Sequence, residues 1–185
     1  MRISYNAPVT LTFALVSTAV LVLDMFFGRT LSSTVFSVGA SIDTSNPVEY
    51  LRLVAHVAGH ADWNHLMSNF AFILLLGPIL EEKYGSPSLI VMMTITALIT
   101  GVLNVLFLST GLMGASGIVF MMILLVSFTN FRKGEIPLTF ILIVALYLTR
   151  EILTAMQTDG ISQFAHILGG VCGSLFGFLK PSRQG

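Results

Sequence analysis

The chain has 185 residues, 55% of them apolar and only 10% charged, with a mean hydropathy of +0.88. Soluble domains carry roughly 25% charged residues, so this composition excludes a water-facing globule and equally a disordered chain. Nine Lys and Arg balance nine Asp and Glu, which leaves no basic field for nucleic acid, and the single Cys172 excludes an internal disulfide or a paired-cysteine zinc site.

A helix needs about 20 apolar residues to cross about 30 Å of hydrocarbon. Measured against that length, six stretches stand out, at 8–27, 65–80, 89–108, 115–131, 137–149 and 162–179. Arg2 ahead of the first run, with Val38-Gly39-Ala40 after it, also has the outline of a secretory signal, but the run is long and five more apolar stretches follow. The expectation is an all-α integral membrane protein, a compact bundle of six transmembrane helices forming one domain over residues 1–185. Residues 28–64 carry Pro47, Trp63 and several polar side chains and are too mixed to span; they form a long outer loop resting in the interface.

Six helices put both termini in one compartment. Arg2, Lys83, Arg132, Lys133, Lys180 and Arg183 fall on that side, against Arg29, Arg52 and Arg150 on the other. This asymmetry predicts cytoplasmic termini.

Within spans the informative residues are polar, because each is costly unless paired or lining a wet cavity. In chain order these are His56 and His60 in the outer loop; His65 and Asn69, four apart on one helix face; Gly114-Ala115-Ser116-Gly117 at the start of the fourth span; and Ala165-His166 near the start of the sixth. With the termini inside, the second, fourth and sixth helices all descend from the outer face, which brings His65, Asn69, Ser116 and His166 to comparable depth. The fourth span is about 17 residues, or about 25 Å, so its first turn lies below the outer surface and Ser116 is sunk in the membrane. The loop ahead of it must dip inward, lining a cavity or buried in protein. Gly169, Gly170, Gly173 and Gly177 follow His166 on the same helix face and allow another helix to approach closely. If that helix is the fourth, His166 reaches the Ser116 hydroxyl as a base reaches its nucleophile.

Each feature taken singly has a plainer reading. A serine at a helix start is usually a cap, a lone intramembrane histidine a hydrogen-bonded structural residue, and an asparagine a helix-joining amide. His56 and His60 could form a metal pair if helical, but no third ligand is placed near them, so no metal and no cofactor is expected.

Taken together, these residues resemble the rhomboid intramembrane serine proteases over residues 49–179. The resemblance is carried by Arg52 with His56 and His60, by His65-Leu66-Met67-Ser68-Asn69, by Gly77-x-x-x-Glu81-x-x-x-Gly85, by Gly114-Ala115-Ser116-Gly117 and by Ala165-His166-x-x-Gly169-x-x-x-Gly173. It implies Ser116 as nucleophile and His166 as general base and acid, with His65, Asn69 and the Ser116 backbone N–H stabilising the oxyanion. Glu81 would be structural. Phe120 departs from the tyrosine common at that position; its ring can still stack beside His166, flanked by the packing glycines Gly114, Gly117, Gly169 and Gly173.

The implied activity is peptide-bond hydrolysis in or near transmembrane segments of membrane-protein substrates, in the bacterial cytoplasmic membrane with the site towards the outer face. Lateral access past the short fifth helix and the following 157–163 loop is expected. Two other classes remain: a non-catalytic rhomboid-like protein that binds membrane helices, though such proteins typically lack the Ser or the His, and a small transporter, which would bring paired helical carboxylates or an internal repeat.

Overall fold

The structure, a computed structural model, describes residues 3–108, 110–129, 138–155 and 161–180. It is helical, with no strand among the described residues beyond a single antiparallel bridge between Val38 and Leu112. The elements are α1 (Pro8–Phe26), α2 (Thr30–Thr34), α3 (Pro47–Ala55) with a single 3-10 turn (His56–Ala58), α4 (Trp63–Tyr84), α5 (Ser86–Phe107), α6 (Ser116–Val126), α7 (Leu138–Ala155) and α8 (Ile161–Leu179).

Among the described residues, α1, α4 and α5 are long and apolar enough to cross a membrane; α6 and the Gln163–Leu179 part of α8 are apolar but shorter. Leu15 and Val16 of α1, Leu74 and Leu75 of α4, and Ile90 and Val91 of α5 point outward and exposed. Such continuous apolar exterior requires lipid rather than water.

At the centre lies α6. Gly117 to Met122, Leu124 and Leu125 are all buried, as expected of a helix apolar on every side, and α4, α5, α7 and α8 surround it. It is shorter than the predicted 115–131 span. At Ser127, Phe128 and Thr129 the backbone turns with N–H groups bonding three residues back, at 3.2, 3.0 and 3.1 Å, and the Thr129 hydroxyl also donates to the Val126 carbonyl at 2.8 Å. Residues 130 and 131 lie outside the described set. In contrast, α7 outruns its predicted end at 149 because Arg150 and Glu151 end an apolar run without ending a helix. Of the predicted 157–163 loop, residues 161–163 open α8 and the rest lies outside the described residues.

Two junctions fix the outer helices. Glu81 near the end of α4 accepts from the Val9 and Thr10 N–H groups at 3.0 and 3.2 Å, the Thr10 hydroxyl at 3.0 Å and the Ser86 hydroxyl at 2.7 Å. One carboxylate thus caps the start of α1, where the helix dipole is positive, and ties it to the start of α5. Gly85, at φ +81°, reverses the chain in one residue between α4 and α5. Asp24, buried in the last turns of α1, accepts from the Ser32 N–H at 2.9 Å and the Ser32 hydroxyl at 2.6 Å and pairs with Arg29 at 3.7 Å.

Candidate active site

The loop leading into α6 is built on the segment before α4. Val38 and Leu112 exchange two backbone hydrogen bonds of 2.9 Å, and Gly114 N–H donates to the His56 carbonyl at 3.0 Å. Ala115 N–H donates to His60 Nε2 at 3.5 Å. Below this scaffold, Arg52 donates through Nε to the Ser37 carbonyl and through Nη1 to Glu49 at 2.6 Å. His56 Nε2 lies 3.4 Å from the Thr100 hydroxyl, which ties the scaffold to α5. His56 and His60 are therefore spent on holding the loop. Both lie outside the spans, and burial holds each imidazole down to about 4, with the neighbouring His65 adding to the effect at His60.

Gly114 sits at φ +118°, a backbone state that side chains resist, and a Cβ there would stand 2.6 Å from both Cε1 and Nε2 of His65. The His65 ring thus covers the loop directly. Its own placement starts with Asp62, whose carboxylate caps α4 by accepting from the His65 N–H at 2.8 Å. Ala61 N–H approaches His65 Nδ1 at 3.5 Å, so the neutral ring carries its proton on Nε2, the nitrogen nearer Gly114. One turn on, Asn69 is buried, and its Nδ2 has no hydrogen-bond partner among the described residues.

Ser116 is the first residue of α6, so helical bonding leaves its backbone N–H unused. Phe120 lies one turn further along the same face, and its ring centroid is 4.3 Å from that of His166, tilted by 37°. The glycines of α8 explain this proximity. A Cβ on Gly169 would stand 2.0 Å from the Gly117 carbonyl oxygen, one on Gly173 2.2 Å from that of Met121, and one on Gly177 2.3 Å from the Phe128 ring. Gly117 in turn leaves room for Thr100 and the Ala165 carbonyl, at 3.2 and 3.4 Å from a Cβ placed there.

The starts of α4, α6 and α8 converge on one cavity of about 470 Å³, and His65, Asn69, Ser116, Phe120 and His166 all line it. Its polar side chains are the hydroxyls of Ser68 and Ser116, two imidazoles and an amide; the remaining wall is mostly apolar. Asp62, Thr100 and the Val38–Leu112 bridge are absent from the sequence reading. A cap rule applied at Asp62 finds the first; the other two depend on partners distant in sequence.

Fold and cavity together define a multi-pass integral membrane protein with a polar chamber at the buried start of its central helix. The chain belongs to the rhomboid family, whose domain model, the Rhomboid domain, matches residues 47–183. It is similar to Rhomboid protease GlpG of Haemophilus influenzae, with 22% identity over 139 residues covering 74% of this chain and 72% of that protein.

Proposed function

We propose that this protein is an intramembrane serine endopeptidase working through a dyad of Ser116 and His166. The observation that carries the reading is the shared cavity: a serine at the start of α6 and a histidine on the helix packed closest to it open into one polar chamber. His166 takes the Ser116 proton as Oγ attacks the substrate carbonyl carbon, then returns it to the departing amine; a water repeats the sequence on the acyl-enzyme.

Three donors suit the developing oxyanion: the Ser116 N–H, the His65 Nε2–H and the Asn69 amide, whose orphaned nitrogen stands free for such a task. The first of these also lies at the positive end of the α6 dipole. Substrates in this reading are transmembrane segments, unwound locally so that a carbonyl can meet the serine, which favours small or helix-breaking residues near the cut. They reach the cavity laterally past α7. That helix is anchored at one end by the Phe140 ring, 4.7 Å from Phe128 and 6.0 Å from Phe178.

The whole chain is taken as one rhomboid-like domain of six spans. Its termini are cytoplasmic, and its cavity opens towards the outer face of a bacterial cytoplasmic membrane. A fluorophosphonate probe tests the chemistry. It should label the wild type on Ser116 and lose reaction in Ser116→Ala and His166→Ala; equal labelling of Ser116→Ala would overturn the assignment.

A further inference from the structure

Apart from this cavity, a groove of about 320 Å³ opens between the first turns of α5 and the last turn of α8. Val91 and Met92 form one wall, Phe176 and Leu179 the other. At its rim the Lys180 ammonium donates to the Ser88 hydroxyl at 2.5 Å. No carboxylate among the described residues pairs with Lys180, whereas Arg29 and Arg52 each have one. Val91 and Leu179 are exposed on the lipid-facing exterior, so the groove opens sideways into the bilayer with its cation at the membrane end of the bundle.

We propose that this groove binds an anionic phospholipid, its phosphate held by Lys180 and Ser88 and the upper part of one acyl chain lying along Val91, Met92, Phe176 and Leu179. Charge complementarity selects the occupant. An ammonium and a hydroxyl both donate to phosphate oxygens, and basic pockets between membrane helices hold anionic headgroups. A zwitterionic lipid offers the same phosphate but brings a cation that Lys180 repels. Val91 and Met92 follow Ser88 by about one helical turn, about 5 Å, which matches the step from a phosphate to the first methylenes of an acyl chain. The larger groove of about 580 Å³ bordered by Phe13, Val54 and Ile90 has no charged side chain in its lining and selects no headgroup. The inference requires only that the chain sits in a membrane, not that it is a protease.

Binding of dioleoyl phosphatidylglycerol, dioleoyl phosphatidylcholine and water-soluble glycerol 3-phosphate to the purified full chain in neutral detergent tests it, read by native mass spectrometry and by the lipid-induced rise in melting temperature. The phosphatidylglycerol is expected to bind about fivefold more tightly than the phosphatidylcholine, the factor one interfacial cation contributes. Lys180→Ala should abolish that preference while its lipid-free melting temperature stays at the wild-type value, Lys180→Arg should keep it, and Val91→Trp should weaken phosphatidylglycerol by filling the groove. Equal binding of the two lipids, or an unchanged preference in Lys180→Ala, overturns the site. Effective competition by glycerol 3-phosphate overturns the acyl groove by showing that the headgroup alone is held.

Discussion

Gly169 of α8 and Gly117 of α6 meet backbone to backbone, close enough that a Cβ on the first would stand 2.0 Å from the carbonyl oxygen of the second. The contact recurs one turn on at Gly173 and Met121. Because His166 precedes Gly169 by three residues, it lies on the face that these contacts press against α6. The depth and azimuth of the imidazole follow from the absence of side chains further along its own helix.

Substituting Gly173 with leucine should therefore damage both folding and cleavage. Overpacking of this kind costs about 1 to 3 kcal/mol, and a displacement of catalytic groups by about 1 Å costs roughly a hundredfold in rate. Val171→Leu, on the exposed side of α8, should be mild on both counts. Thermal unfolding in detergent beside cleavage of a reporter transmembrane helix separates the two effects. Wild-type stability and rate in Gly173→Leu would refute the link between the glycine face and the dyad.

Ser116 and His166 should be indispensable as a unit. Groups that act together in proton transfer and attack lose their effect together, so each single alanine variant and the double variant should be almost equally inactive. Turnover of the same reporter, with expression and folding checked, measures this; substantial cleavage by Ser116→Ala removes the protease reading.

Asn69→Ala should be weaker in effect than loss of the dyad. Removing one oxyanion donor costs about 3 to 4 kcal/mol in the transition state, or roughly a hundred- to thousandfold in kcat. The amide nitrogen has no partner among the described residues whose loss would unsettle the resting fold, so melting temperature and KM should change little. A rate equal to wild type would exclude Asn69 from the site.

Much of this arrangement was legible in the sequence because it is written in long apolar runs and in fixed spacings. The α1, α4 and α5 spans follow from hydropathy, and the close approach of α8 to α6 follows from glycines at offsets of three, seven and eleven from His166. Other features depend on backbone partners that no side-chain pattern encodes. The carbonyl of His56 holds Gly114, and Val38 pairs with Leu112 through main-chain atoms alone. The end of α6 at Val126 coincides with the polar Ser127, Thr129 and Asn130, which the predicted span runs across because Phe128 and Phe131 alternate with them. Asp24 marks the opposite case: a charge inside an apolar run is visible at once, but its partner Ser32 belongs to a helix of only five residues.

His56 and His60 give the protein an acid limit distinct from the chemistry of His166. Burial holds each to about 4, against an ordinary value near 6.5, so the folded state resists protons that the unfolded chain accepts. The sign follows directly. Above about pH 6.5 both states leave these rings neutral and the fold keeps its full stability; as pH falls from there to about 4, unfolding takes up protons and stability is lost. Each unit of difference corresponds to about 1.4 kcal/mol, so the two rings together are worth several kcal/mol over that window. A Ser116→Ala background removes self-cleavage from the measurement, and its melting temperature in detergent should drop between pH 6.5 and 4.5. His60→Gln, whose amide oxygen can still accept from the Ala115 N–H, should have a shallower profile because one titrating ring is gone. The same variant should keep most of its activity at pH 7.5, since the loop contact survives without the imidazole. A melting temperature independent of pH in the parent would show that neither ring is buried as the loop scaffold requires.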